Sequence, residues 1–314
     1  MKAVFLDLKS LDDIDLTKLE RRCSELQLYH TTEAEEIIDR IAGAELVIVN
    51  KVRLTKSVFE NAPALKLVCV VATGTDVIDL QAASDCGVAV YNCRAYGTSS
   101  VVQHVFSLLL CLQTNIIAYH RAVQQGRWQQ SSGFCFLDYP ISELSGKTIG
   151  ILGYGTLGRA VAETAHAFGM KTVIATRPGA PPDDRPTLDE ILPEVDVLSL
   201  HCPLTQQTRN IIDARALSLM KPTAILINAA RGGLVDEHAL LSSLRQGQIG
   251  GAGIDVLSEE PPKNSNPLLE ASLPNLLVTP HIAWASREAR ENIIEQTAEN
   301  ITDFHLGKST RRVV

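Results

Sequence analysis

Short runs of consecutive apolar residues recur along the chain, separated by stretches in which apolar positions fall three or four apart. The runs cover residues 3–6, 46–49, 67–71, 88–91, 148–152, 172–175, 195–200, 224–227 and 276–278. They are rich in Val, Ile and Leu and show little polar alternation, the pattern of strands buried on both faces. Between the first two lies Leu16-x-x-Leu19-x-x-x-Cys23-x-x-Leu26, whose spacing predicts a helix. Strands alternating with helices predict an α/β fold with doubly wound parallel sheets. Two longer helical patterns stand out. One starts after Gly97 and runs to about Gln125; the other starts at Ser286, an N-cap followed by Glu288 and Glu291, and runs to about Leu306. Pro178-Gly179-Ala180-Pro181-Pro182 reads as a surface loop.

A chain of 314 residues, 45% of them hydrophobic, suggests two domains, each with its own core. Net charge is −7 and no basic cluster exceeds Arg311-Arg312, which argues against a nucleic-acid partner. The longest apolar stretch, residues 105–112, is too short for a bilayer span of about 20 residues. The start, Met1-Lys2-Ala3-Val4-Phe5-Leu6-Asp7, reads as a strand rather than a signal peptide. Seven scattered cysteines form no C-x-x-C pair, so free thiols in a reducing, cytoplasmic setting are expected, with no metal site and no membrane partner.

One turn has the composition of a phosphate cradle. The run at 148–152 leads into Gly153-Tyr154-Gly155-Thr156-Leu157-Gly158 and then a helix from about Arg159 to Phe168. G-x-G-x-x-G carries weight only between a strand and a helix, as here. Gly153 permits the tight turn, Gly155 lets the backbone approach a pyrophosphate, and Gly158 allows close helix–strand packing. The following strand should end in an acid that binds the adenosine ribose. It ends in Thr176-Arg177-Pro178, with no acid before Asp183. A cation and a hydroxyl there suit a ribose 2′-phosphate, so NADP is favoured over NAD.

Three more strand ends carry polar residues: Asn228-Ala229-Ala230-Arg231-Gly232, Asp255-Val256-Leu257-Ser258-Glu259-Glu260-Pro261, and Thr279-Pro280-His281-Ile282-Ala283. In an open parallel sheet all three are delivered to the edge where ligands bind. A planar Arg231 can hold a carboxylate through two parallel hydrogen bonds. His281 can give and take a proton near neutral pH, and Glu260 behind the imidazole can fix its tautomer. Taken singly each residue has a plainer reading as a cap or loop residue; after a dinucleotide turn the set predicts hydride transfer to a 2-oxo acid.

These segments, in this order and spacing, resemble the D-isomer-specific 2-hydroxyacid dehydrogenases, over nearly the whole chain. The resemblance implies that residues 98–286 form a Rossmann dinucleotide-binding domain inserted in a flavodoxin-like substrate domain, residues 1–97 and 287–314. It implies that Arg231, Glu260 and His281 are catalytic, that Thr156 and Leu157 line the phosphates, and that Asp255 holds the nicotinamide carboxamide. Ala229 and His201-Cys202-Pro203 would border the nicotinamide, beside Arg231 and His281. The backbone of Thr73-Gly74-Thr75 would meet the substrate carboxylate, and Trp284 would wall the substrate pocket or serve as a structural residue. A homodimer built largely on the helix after Gly97 is implied too. Tyr96-Gly97-Thr98-Ser99-Ser100, Gly126-Arg127-Trp128 and His281-Ile282-Ala283-Trp284 are similar to the glycerate dehydrogenase (hydroxypyruvate reductase) group. Hydroxypyruvate or glyoxylate is therefore the expected substrate, giving D-glycerate or glycolate. The alternatives are another 2-hydroxy acid, or a dinucleotide-sensing binding protein like the C-terminal-binding-protein co-repressors.

Overall fold

A computed structural model describes residues 1–179 and 184–314; the expected loop residues Ala180, Pro181 and Pro182, and Asp183, lie outside them. The chain divides into two compact units, Met1–Gly97 with Ala285–Val314, and Thr98–Trp284.

In the first unit, β1 (Lys2–Phe5), β2 (Glu25–Leu28), β3 (Leu46–Val49), β4 (Leu67–Val70) and β5 (Ala89–Tyr91) form a parallel sheet in the order β2-β1-β3-β4-β5. This is the flavodoxin-like order. The central strands are buried throughout, as their unbroken apolar runs require. One expectation fails. The helix read across Leu16–Leu26 spans only Thr17–Glu20, and Leu26 lies in β2. Glu25-Leu26-Gln27-Leu28 is an edge strand paired only to β1 and mostly exposed, so neither an apolar run nor β-branched residues mark it. The C-terminal helix Arg287–His305 is capped as expected, Ser286 Oγ accepting from Ala289 N at 3.1 Å.

In the second unit the described residues form a six-stranded parallel sheet. Its strands are β6 (Thr148–Leu152), β7 (Lys171–Ala175), β8 (Val197–Leu200), β9 (Ile225–Asn228), β10 (Gly251–Ile254) and β11 (Leu276–Val278), in the order β11-β10-β9-β8-β6-β7. The order reverses between β6 and β8, and that switch point places ligands outside the strands' carboxyl ends. The buried face of the helix Thr98–Thr114 packs Val101, Val105, Leu108 and Leu109 into a core shared with Ile149, Ile151, Val197 and Ile227.

That helix is also shorter than expected. It stops at Thr114, Asn115 takes a left-handed φ of 50°, and a second helix, Ile116–Gln124, leaves at 60°. Asn tolerates this conformation better than other side-chain-bearing residues, and apolar spacing on either side does not reveal the break. Among the described residues no single helix is long and apolar enough to cross a membrane; only this bent pair reaches the length and composition together.

Candidate active site

All the expected site residues except Thr73, Gly74 and Thr75 lie in the second unit. At the switch point, Gly153 takes φ 101°, and a Cβ there would stand 2.5 Å from Cys202 N and 2.6 Å from the His201 carbonyl carbon. The turn after β6 is therefore pressed against the end of β8. Gly155 faces open space, with nothing within 4 Å of a Cβ. The helix Thr156–Ala167 starts directly after it, with no side chain capping its N-terminus. A Cβ on Gly158 would lie 2.1 Å from Gly153 O, so only glycine closes the turn onto the helix. An open backbone approach in front of an uncapped helix start fits a pyrophosphate. The residues present thus fit a dinucleotide.

Beside this cradle, His201 Nε2 is hydrogen-bonded to Ser199 Oγ at 2.8 Å. Its Nδ1 is buried and meets no partner among the described residues, and burial pushes the imidazole pKa down to about 4, so the ring is neutral. Burial pushes the Cys202 thiol up to about 11, against the opposing pull of a backbone hydrogen bond and, more weakly, of the Arg177 charge. Thr176 N and Oγ1 donate to Pro186 O and Arg185 O at 2.8 and 3.0 Å, which sets the direction of the chain leaving β7.

The next three strand ends converge. Asn228, buried at the end of β9, donates through Nδ2 to Arg231 O at 2.9 Å and accepts from Ala230 N at 3.1 Å. These bonds shape the turn that carries Ala229, Ala230 and Arg231. Arg231 donates to Ala230 O at 2.8 Å and remains half-buried. A Cβ on Gly232 would fall 1.9 Å from the Leu257 carbonyl carbon, so the loops after β9 and β10 touch backbone to backbone. The loop after β10 brings Glu260 to His281. Glu260 Oε1 accepts from Leu257 N at 2.9 Å, and Oε2 lies 2.6 Å from His281 Nδ1.

His281 is held in a left-handed conformation, φ 55°, which costs a residue with a Cβ and persists only when its surroundings impose it. They do so from several sides. His281 N donates to Asp255 O at 2.7 Å, and Trp284 Nε1 donates to His281 O at 2.9 Å. The Asp255 carboxylate, fully buried beneath this turn, accepts from Ile282 N at 3.0 Å, Ala283 N at 2.9 Å and Thr279 Oγ1 at 2.6 Å. His104, on the helix Thr98–Thr114, stands 3.3 Å from Asp255 and 2.9 Å from Thr279 Oγ1. Burial works to raise the Asp255 pKa, but the hydrogen bonds from His104, Thr279, Ala283 and Ile282 outweigh it and hold the group ionised below its ordinary value.

Sequence reasoning assigned no role to Asn228 or His104, and did not foresee that Asp255 also lies beneath the histidine turn. His104 carried a signal: at helical spacing it shares the face of Val101 and Leu108, a polar residue on an apolar stripe. Thr73 O accepts from Asn92 Nδ2 at 2.7 Å in the first unit, where Thr73, Gly74 and Thr75 follow β4.

Residues 106–283 match the family model of the D-isomer specific 2-hydroxyacid dehydrogenase NAD binding domain. The chain is 47% identical to the glycerate dehydrogenase of Methylorubrum extorquens, over 98% of this chain and 97% of that one. It is 38% identical to the hydroxypyruvate reductase of Blautia hydrogenotrophica, over 98% of each. Among solved structures it is similar to the NADPH-dependent glyoxylate/hydroxypyruvate reductase of Sinorhizobium meliloti in complex with NADP and malonate. That likeness has a TM-score of 0.81 and 29% identity, covering 100% of this chain and 97% of that one.

Proposed function

The chain belongs to the D-isomer specific 2-hydroxyacid dehydrogenase family, whose members move a hydride between NAD(P)H and 2-oxo acids, and within it we propose a reductase of hydroxypyruvate or glyoxylate that prefers NADPH. The observation that carries this reading is the 2.6 Å contact between His281 Nδ1 and Glu260, on a strand-end edge shared with Arg231 and the glycine cradle.

A nicotinamide dinucleotide held in the glycine cradle would supply the hydride. Arg231 holds the substrate carboxylate in its planar fork. In the imidazolium form His281 donates Nδ1–H to Glu260, which leaves Nε2–H to protonate the oxygen at C2 as charge develops on it. In the oxidative direction neutral His281 takes that proton back. Glu260 stabilises the imidazolium and fixes the orientation of the ring. Asp255 and Trp284 fasten the turn that presents His281; Asp255 at the carboxamide and Trp284 at the pocket wall belong to the same proposal. Gly153, Gly155, Thr156, Leu157 and Gly158 receive the phosphates, and His201, Cys202, Pro203 and Ala229 border the nicotinamide side.

Support for NADPH comes from Thr176-Arg177 at the end of β7, where an acid would favour NAD. A homodimer is supported by the exposed apolar side chains Trp128, Phe134, Leu137 and Ile141 along the segment between Gln124 and β6. Seven free thiols are consistent with a cytoplasmic protein. The test of the reaction is its product: reduction of hydroxypyruvate should yield D-glycerate on chiral chromatography, and L-glycerate or a racemate would reject the assignment.

A further inference from the structure

Glu237 has no part in the chemistry assigned above. It opens the helix Glu237–Arg245, six positions after Arg231 on the same connection. Its carboxylate reaches away from that helix into the loop after β10. Oε1 accepts from Ser258 N at 2.8 Å; Oε2 accepts from Ser258 Oγ at 2.8 Å and from Asn266 Nδ2 at 3.0 Å. Asn266 is buried and is itself the N-cap of the helix Pro267–Glu270, its Oδ1 accepting from Leu268 N at 2.9 Å. One carboxylate therefore ties both ends of the segment 258–266. Glu260 stands inside that segment, and its neighbour Leu257 lies against Gly232 of the arginine turn.

From this arrangement we infer that Glu237 is a positioning residue for the reaction, clamping the Glu260 loop at both ends so that Glu260 stays against His281. The inference rests on the proposed proton-transfer role of His281. Its physical basis is that a loop fixed at two points by charge-assisted hydrogen bonds retains few conformations, and that a proton-transfer pair loses efficiency when displaced by about half an ångström. Glu237→Ala releases both ends. Glu237→Gln keeps one carbonyl oxygen for Ser258 N but turns an NH2 toward the Asn266 amide donors, so it releases one end only.

Two readouts test the clamp. Hydrogen exchange of the amides in 257–266 should accelerate at least about tenfold in Glu237→Ala and less in Glu237→Gln, independently of turnover. Kinetically, kcat for 2-oxo acid reduction at alkaline pH should fall roughly tenfold in Glu237→Ala while KM for the cofactor stays within about threefold. The alkaline limb of the rate profile should move to lower pH, with Glu237→Gln between the two. In a Glu260→Gln background Glu237→Ala should add almost nothing, because the clamp acts through Glu260. Unchanged exchange overturns the clamp. Faster exchange with an unshifted profile, or with fully additive losses, overturns its link to His281. Absence of turnover in the wild-type enzyme rejects the reductase reading, while exchange still decides whether Glu237 ties the loop.

Discussion

Replacing Glu260 by Gln removes a charge and nearly preserves shape, so it isolates what the carboxylate does for His281. The two side chains meet at 2.6 Å and are 26% and 32% exposed, which places the pair between water and protein interior. Two unit charges about 4 Å apart interact by about 1 kcal/mol in water and about 4 kcal/mol at a dielectric near 20. A partly solvated hydrogen bond to a charged group is worth about 1.5–3 kcal/mol, so its loss should slow reduction roughly 10- to 100-fold. The assay is the steady-state loss of reduced cofactor, kcat/KM against pH from about 5 to about 9.5. The variant should lag the wild type roughly 10- to 100-fold at alkaline pH and approach it as the medium becomes acidic enough to protonate His281. An unmoved profile, or a loss equal at every pH, would refute the electrostatic account and leave Glu260 a loop residue.

Further outcomes follow from the same geometry. His281→Ala should lower turnover by roughly 10²–10⁴-fold with cofactor affinity kept, and wild-type-like rates would remove His281 from its role. Gly155→Ala meets open space, so it should fold normally yet bind NADPH at least about tenfold more weakly in a fluorescence titration. Gly158→Ala forces a Cβ to 2.1 Å from Gly153 O and should lose stability as well as affinity, and equal behaviour of the two would contradict the assignment of the turn. The Asp255 pKa lies below its ordinary 3.8, so its contribution to stability is full above that value and is lost as pH falls through the lower folded one. Asp255→Asn should therefore cost about 2–3 kcal/mol against urea at neutral pH, with the deficit shrinking in strong acid; a deficit independent of pH would show that charge is not what matters.

Unbroken apolar runs made the central strands legible, because a parallel sheet covered on both faces leaves no room for polar alternation. The same logic hid β2, an exposed edge strand whose leucines happen to fall at helical spacing with those before them. It also hid the break at Asn115, where one left-handed residue redirects a helix without disturbing the apolar pattern. In the site, Arg231, Glu260 and His281 could be named from the sequence because each follows a strand, and the structure brings Glu260 against His281. The groups that hold them were not. Asn228 acts only two and three residues away, shaping its own turn, whereas His104, Thr279 and the buried face of Asp255 act through hydrogen bonds between segments far apart in the chain, which no local spacing encodes. The left-handed φ of His281 is likewise a product of tertiary bonds rather than of its own propensity.

Thr176-Arg177 stands where an acid would favour NAD at the end of β7, so this chain should reduce a small 2-oxo acid with NADPH preferred. The most direct measurement is the rate of reduced-cofactor loss with hydroxypyruvate, NADPH and NADH run side by side. Turnover favouring NADPH is the predicted result. Turnover favouring NADH would contradict the cofactor assignment, and no turnover with either would contradict the substrate assignment.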